Sequence, residues 1–137
     1  MRSLFALGQL AGDGAFTKRC QKWLADFTGA FHARGLRTPI VPPGCEANFH
    51  LYYVLMPNLD LRRELITRMK ADGISTPFHY VPLHSSPAGL RFARTFGSLR
   101  HTEDLSARLV RLPLYPRMSD ASRRVVERLQ VHLDGLL

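Results

Sequence analysis

Lysine is the scarcest charged residue of this chain, with only Lys18, Lys22 and Lys70 among 137 residues. Cysteine occurs twice, and Cys20 and Cys45 form no CxxC pair, so neither a redox-active dithiol nor a zinc site is indicated. We expect both thiols to be free and buried. No apolar run is long enough for a helix to cross a bilayer, so no membrane partner is expected.

The apolar start of the chain is also short. Residues 1–7 are weakly signal-like, but Gly8 and Gln9 interrupt them, and this pattern is too brief for a cleaved leader. Together with the absent membrane span, it predicts a soluble, cytoplasmic protein.

Acidic residues are few, since the chain has 11 of them and 19 basic residues, which gives a formal net charge of +8. A basic balance is typical of proteins that bind nucleic acid or another polyanion. The arginines are scattered, however, and no run of basic residues interleaved with aromatic ones occurs. We predict that most of them lie on solvated helix faces, and nucleic acid is not the expected partner.

The first half of the chain predicts one helix and one central strand. Apolar residues at helical spacing predict a helix over residues 16–34, and Gly35 is a natural C-terminal stop. Segment Phe49–Met56 is apolar or aromatic on both faces, as in a central strand. We expect His50 and Tyr52 to pack in the core.

The middle of the chain predicts a helix followed by a second strand. Leu61, Leu65 and Met69 mark the helix, which ends at Gly73, and Ile74–Tyr80 follows as the strand. This order predicts an α+β fold, a small and mostly antiparallel sheet covered on one side by helices.

The last third predicts mainly helices. A short helix is expected within residues 88–100, Thr102 is a plausible N-cap of the next, and Leu112–Pro116 is a stiff extended piece. Ser119 is predicted to cap the last helix. Its buried stripe consists of Val125, Val126, Leu129, Leu133 and Leu136.

The segment Phe78–Gly89 concentrates polar and aromatic side chains. It holds two His, one Tyr and two Ser and has no acidic residue. Pro82 and Pro87 prevent a continuous helix, because each removes a backbone donor and restricts the residue before it. We therefore predict a strand end that leads into a fixed loop and displays groups for a polar, hydroxylated or anionic ligand.

Several motifs, in this order, resemble a known family. They are Gln9-Leu10, Arg19, the strand His50–Met56, Gly73-Ile74, the loop segment His79–Gly89, Leu112–Tyr115 and Met118-Ser119. The set resembles the C-terminal part of the DegT/DnrJ/EryC1/StrS aminotransferases, which are pyridoxal-phosphate enzymes acting on nucleotide-linked keto-sugars. The loop is most similar to that of the dTDP-4-amino-4,6-dideoxygalactose transaminase group.

The resemblance implies a fold and a function. Residues 16–137 would be the C-terminal small domain of a fold type I aminotransferase, and residues 1–15 a remnant of the inter-domain helix. The complete enzyme would convert a dTDP-4-keto-6-deoxyhexose to the 4-amino sugar, in lipopolysaccharide or enterobacterial-antigen biosynthesis. Its cofactor would be pyridoxal phosphate, held by a larger N-terminal domain.

The family's Schiff-base lysine motif, of Ser-Phe-His-x-x-Lys type, does not occur in this sequence. All three lysines lie on predicted helices, where we expect them to face solvent. Since transamination needs an amine that condenses with the cofactor, this chain is not expected to hold the cofactor covalently or to react alone. It is expected to form a homo-oligomer or to associate with a polypeptide that carries the cofactor domain.

The resemblance implies substrate-binding roles in the loop, for His79, Tyr80, His84 and Ser85. His84 is the foremost candidate for the ligand. His79 contacts either the ligand or loop backbone groups, Tyr80 either bonds the ligand or packs against Trp23 or Phe49, and turn chemistry is an alternative for Ser85. No catalytic residue is assigned to this chain.

Other candidates are weaker. Arg91 and Arg94 follow the loop and either meet a diphosphate or are solvated. We predict that His32, His101 and His132 are surface residues, because none has a partner at a metal-type spacing, and no metal is expected. Two alternative functions stay open, a basic polyanion-binding module and a non-catalytic domain that pairs with a full-length homologue.

Overall fold

The computed structural model of the chain describes residues 28–45, 51–115 and 119–137. Several predictions fall outside these ranges. They concern segment 1–15, residues 16–27 of the first helix with Lys18, Cys20, Lys22 and Trp23, and the residues Phe49 and His50. The capping role predicted for Ser119 is also untested, because its side chain is not described. Residues 28–32 are helical. The helix ends where Gly35 adopts a φ of 70° and Leu36 N donates to Phe31 O, so the predicted stop is confirmed.

Two antiparallel strands, β1 (Tyr52–Leu55) and β2 (Leu109–Leu112), form the sheet. Their register is Tyr52–Leu112, Tyr53–Arg111, Val54–Val110 and Leu55–Leu109. Because side chains alternate along a strand, Val54 and Val110 share one face, and Tyr53 and Arg111 share the other. Val54 and Val110 are fully buried, which identifies their face as the core side.

Isolated bridges extend this sheet on both sides. Arg37 pairs with Leu55, and Phe78 pairs with Val110, so β1 has a neighbour on each side, as predicted for a central strand. The prediction of a strand over Ile74–Tyr80 is wrong, because this segment is extended but pairs with β2 only at Phe78.

The helices follow in the order α1 (Leu59–Ala71), a 3₁₀ turn (Leu83–Ser85), α2 (Pro87–Phe92), α3 (Arg100–Arg108) and α4 (Ser119–Asp134). Asn58 caps α1, since its side-chain oxygen accepts from Leu61 N at 2.9 Å. The turn after α1 places Gly73 at a φ of 75°, which confirms the predicted stop.

One predicted helix is confirmed, and the predicted start of the next one is wrong. The short helix expected within residues 88–100 is α2, which ends at Phe92, and the chain then runs without regular structure until α3. Helix α3 begins at Arg100 with Leu99 in the N-cap position, so Thr102 lies inside the helix. Leu99 in the N-cap position makes no side-chain capping bond, and the N-cap predicted at Thr102 lies three residues too far along the chain.

Helices α1 and α4 cover the core face of the sheet. The core gathers Phe31, Leu36, Tyr52, Val54, Met56, Leu65, Met69, Ile74, Val110, Leu112, Val125, Leu129 and Leu133. Val126 and Leu136 pack against it half-buried, so the apolar stripe predicted for α4 is confirmed. Helices packed on one side of an antiparallel pair are the predicted α+β arrangement.

An ionic network ties the end of α1 to α4. Asp72 accepts from Arg128 Nε and Nη2, both at 2.8 Å, and lies 2.5 Å from His132 Nε2. Arg124 adds a bond to the Asp72 carbonyl oxygen at 2.8 Å. The prediction of a surface position for His132 is wrong, since its side chain is only 14% exposed and its partner lies sixty positions away.

The connector before β1 contains the one cysteine in the described part of the chain. Cys45 is a free thiol, but it is exposed, so the expected burial is wrong. Its amide donates to Pro42 O and closes a turn whose residues are all exposed. In the described ranges, no helix combines the length and apolar character needed to cross a membrane.

We predict that Asp72→Asn lowers the free energy of unfolding near neutral pH. Hydrogen bonds from Arg128 and His132 lower the pKa of Asp72 from 3.8 to about 2. A depressed folded-state pKa stabilises the protein above pH 3.8, and this contribution is lost as the pH falls toward 2. Urea unfolding of both proteins at several pH values should show their difference shrinking over that interval.

The matched control is Asp60→Asn, because the Asp60 carboxylate is 91% exposed and lies 3.7 Å from Arg63. Its stability should follow that of the unmodified chain at every pH. A difference between Asp72→Asn and the unmodified chain that stays constant from neutral pH down to pH 2 contradicts the prediction.

Candidate functional site

Strand β2 fixes the start of the loop 78–89. Arg111 N donates to Pro77 O at 2.9 Å, and Phe78 bridges Val110. In this antiparallel register His79 lies on the same side of the sheet as Arg111, opposite the core. Tyr53 of β1 is paired with Arg111 and shares that side. We call this side of the sheet the outer face.

Two arginines hold aromatic rings of the loop. The guanidinium carbon of Arg111 lies 5.5 Å from the centroid of the Tyr80 ring, and that of Arg62 lies 5.2 Å from Phe78. The rings of His79 and Tyr80 meet edge to face at 4.7 Å. These cation–π and aromatic contacts orient the loop, yet they leave Tyr80 67% exposed.

His84 is held by helix α3. Its Nε2 lies 3.1 Å from a carboxylate oxygen of Glu103, in the first turn of that helix. The His84 side chain is 15% exposed, whereas that of Glu103 is 61% exposed. The structure thus directs this imidazole nitrogen to a carboxylate of the chain itself, and a ligand would meet the pair rather than a free histidine.

The serines of the loop bond to its own backbone. Ser85 Oγ donates to Pro82 O at 3.2 Å. Ser86 caps α2, because its hydroxyl accepts from Gly89 N at 3.0 Å and donates to Leu83 O at 2.8 Å. These bonds are the turn chemistry that was the alternative for Ser85.

The structure therefore divides the four predicted site residues. His79 and Tyr80 meet on the outer face, His84 pairs with Glu103, and Ser85 closes a turn. Arg111 joins the first two, and sequence reasoning missed it. The alternation in β2, where buried Val110 and Leu112 flank Arg111, is a signal that could have found it.

Positive charge concentrates around this loop. From Gly73 to Thr102 the sequence has no acidic residue, although it contains Arg91, Arg94 and Arg100. Elsewhere in the described ranges many arginines are paired, as in Arg34–Asp134, Arg68–Glu64, Arg108–Asp104 and Arg128–Asp72. Pairing removes these arginines from any continuous basic surface, which disfavours a nucleic-acid footprint. The Arg91 guanidinium lies 4.9 Å over the ring of Phe92.

Large apolar side chains of the loop and of the segment that follows remain exposed. They are Phe78, Tyr80, Val81, Leu83, Leu90, Phe92 and Phe96. A group of this size is more than the scattered apolar residues of an ordinary protein surface. It indicates a surface that another polypeptide or a ligand covers.

A separate cavity of about 440 Å³ lies between the segment after α1, the end of β2 and α4. Its lining comprises Gly73, Ile74, Ser75, Pro113, Tyr115, Arg124 and Val125. None of the predicted site residues reaches it. The cavity surface is mostly apolar. Its one charged side chain, Arg124, already donates a hydrogen bond to Asp72 O.

Comparison with known proteins decides the family. The model of the DegT/DnrJ/EryC1/StrS aminotransferase family matches residues 1–130. The chain belongs to the DegT/DnrJ/EryC1/StrS aminotransferase family. Members of this family depend on pyridoxal phosphate, and the solved neighbours have the fold type I architecture expected from the sequence.

Relatives in the DegT/DnrJ/EryC1/StrS family include dTDP-amino-sugar transaminases. The chain is 34% identical over 131 residues to dTDP-3-amino-3,4,6-trideoxy-alpha-D-glucose transaminase from Micromonospora megalomicea subsp. nigra, covering 93% of this chain and 33% of that protein. It is 32% identical over 91 residues to dTDP-4-dehydro-2,3,6-trideoxy-D-glucose 4-aminotransferase from Saccharopolyspora spinosa, covering 66% of this chain and 22% of that protein.

A solved structure shows the same fold. The aminotransferase TlmJ from Streptoalloteichus hindustanus superimposes with a TM-score of 0.77 at 26% identity, over 90% of this chain and 33% of TlmJ. The chain thus spans about a third of the length, or less, of the proteins it matches. The comparisons do not single out the galactose-type 4-amino group within the family.

The described residues do not form a pyridoxal-phosphate site. Their one lysine, Lys70, is exposed in the last turn of α1. The aldehyde of the cofactor needs a lysine amine held beside it, and Lys70 has no such surroundings. Among these residues there is also no group of three His, Cys, Asp or Glu that could hold a metal ion.

Gly89→Ala is expected to disrupt the loop. A β-carbon at this position would overlap the carbonyl oxygen of Leu83, which is backbone and part of the 3₁₀ turn. Overpacking of this kind costs about 1–3 kcal/mol, and we expect urea unfolding to show a loss of that size.

Gly29→Ala is the matched control, because no atom lies within 4 Å of its new β-carbon and Gly29 is helical. That change should leave the stability equal or raise it by up to about 1 kcal/mol. Equal unfolding midpoints for the two alanine variants contradict the loop geometry.

Proposed function

We propose that this chain is the small domain of a nucleotide-sugar aminotransferase and that its loop 78–89 closes one side of the substrate pocket. The observation that carries the proposal is the exposed loop on the outer face of the sheet, where Tyr80 is 67% and Leu83 85% exposed. Such apolar exposure is costly unless another surface covers it. In this proposal the covering surface is the cofactor-bearing part of the enzyme.

The substrate class follows from the family. The two relatives are named as transaminases of dTDP-linked sugars, one for a 3-amino and one for a 4-amino product. We propose that the complete enzyme converts a dTDP-4-keto-6-deoxyhexose to the 4-amino sugar, the reaction suggested by the likeness of the loop. His79 and Tyr80, with the His84–Glu103 pair beside them, would contact the nucleotide sugar through hydrogen bonds.

In this proposal the reactive lysine comes from polypeptide outside the described residues, because their one lysine, Lys70, is exposed on α1. The chain alone would therefore bind substrate weakly and would not transaminate. Activity would require association with a polypeptide that carries the cofactor domain, in a homo-oligomer or a mixed complex. Location in the cytoplasm stays a prediction from the sequence.

A chimera tests this function. The chain replaces the matching third of the Micromonospora transaminase, so that the rest of that protein supplies the cofactor lysine. We expect the chimera to transfer an amino group to a dTDP-keto-sugar, whereas the 137-residue chain alone does not. Within the chimera, Tyr80→Phe should raise KM about three- to tenfold, the effect of losing one hydrogen bond.

Tyr115→Phe is the matched control, because Tyr115 lines the separate cavity and not the loop. It removes the same hydroxyl group and should leave KM unchanged. A chimera that folds and takes up pyridoxal phosphate but binds no nucleotide sugar refutes the proposed function.

A further inference from the structure

The cavity beside α4 lies toward the opposite end of the sheet from the loop 78–89. Phe78 pairs with Val110 in an antiparallel bridge, so residues after Phe78 run toward the start of β2 and residues before it run toward its end. Ser75 and Pro113, which both line the cavity, lie on that second side of the bridge. The cavity is therefore separate from the proposed substrate pocket.

The cavity has an apolar floor and a polar rim. Ile74 is 7% and Val125 5% exposed, and both belong to the hydrophobic core. Ser75, Tyr115 and Arg124 are exposed, and they bring two hydroxyl groups and one guanidinium to the rim. A volume of about 440 Å³ with this division of surface is typical of pockets that bind small molecules. A ligand that fits it has an apolar body and a polar end.

The charge at the rim selects an anionic end. Arg124 is the charged residue of the lining, and no acidic residue of the described ranges lines the cavity. Its Nη2 donates to Asp72 O at 2.8 Å, which anchors the guanidinium and leaves its other N–H groups for a ligand. The Asp72 carboxylate bonds to Arg128 and His132 instead, so it does not compete for Arg124.

One guanidinium matches one carboxylate. The planar fork of an arginine donates parallel hydrogen bonds to the two oxygens of a carboxylate, and a single positive charge neutralises a single negative one. The hydroxyl group of Ser75, on the segment that faces α4 across the cavity, is a further donor for such an oxygen.

We propose that this cavity binds a small monocarboxylate with an apolar body. The carboxylate bonds to Arg124 and Ser75, and the apolar body packs on Ile74 and Val125. The inference goes beyond the proposed function and does not depend on it. Because the ligand contacts both α4 and the segment after α1, its binding also stabilises the folded chain.

The test is titration calorimetry on the full 137-residue chain with three probes. Hydrocinnamate has both parts of the expected ligand, hydrocinnamyl alcohol has the same body without the charge, and acetate has the charge without the body. We expect hydrocinnamate to bind about 10- to 100-fold more tightly than either of the others, since the buried ring and the charged hydrogen bonds both contribute. The methyl NMR signals of Ile74 and Val125 should shift as it binds.

Arg124→Gln should lower the affinity for hydrocinnamate about 10- to 100-fold, to that of the alcohol. The matched control is Arg123→Gln, because Arg123 is exposed on the same helix, carries the same charge and does not line the cavity. It should keep the affinity within about twofold of the unmodified chain.

Ser75→Leu is a second variant that leaves the charge in place. It adds an apolar side chain at an exposed position of the rim, so it should block both hydrocinnamate and the alcohol. Thermal unfolding midpoints, measured for every variant without and with hydrocinnamate, identify the folded ones and should rise with the ligand only where it binds.

Four results overturn the inference. They are no binding of hydrocinnamate by the unmodified chain, equal affinity for hydrocinnamate and its alcohol, equal affinity of Arg124→Gln and Arg123→Gln, and displacement of hydrocinnamate by dTDP, which would assign it to the substrate pocket. The proposed function is judged separately by the chimera, whose transamination does not require this cavity.

Discussion

The antiparallel pairing of β1 with β2, continued by the hydrogen bond from Arg111 N to Pro77 O, is the constraint on which the rest of the structure depends. This register decides which side chains enter the core and which face outward, because a shift of one residue would exchange the two sets. It also fixes the point at which the loop leaves the sheet. A displaced register would bury Arg111 among the helices and expose Val110.

Helix packing keeps that register in place. Leu65 and Met69 of α1 and Leu129 and Leu133 of α4 are fully buried against the core face. The Asp72 network then joins the end of α1 to α4 through two hydrogen bonds from Arg128 and one from His132. Since apolar packing is non-directional, these ionic contacts supply the geometric specificity of the helix pair. On the outer face, by contrast, Tyr53, His79 and Arg111 are only half-buried.

Features that depend on local pattern could be predicted from the sequence. The apolar stripe of α4 and the glycine stops at Gly35 and Gly73 follow from residues close together in the chain. Features set by distant partners could not. Ile74–Tyr80 has the composition of a strand, but strand formation requires a continuous partner, and β2 offers it one bridge. The sequence around His132 is typical of a surface residue. Its burial depends on Asp72, which lies sixty positions away in the chain and contacts it only in the folded structure.

The candidate site shows the same division. The loop could be recognised in the sequence from its prolines, histidines and serines. The role of each of these side chains could not be predicted from the sequence. The hydroxyl groups of Ser85 and Ser86 bond to the backbone of turns, and Glu103 bonds to His84. The side chains with the most unused hydrogen-bonding capacity are therefore His79, Tyr80 and Arg111. A loop whose hydroxyls are committed to its own backbone is rigid, and rigidity lowers the entropic cost of binding. The structure therefore favours recognition of a charged ligand over bond-making by this domain, in keeping with a reactive amine supplied from elsewhere.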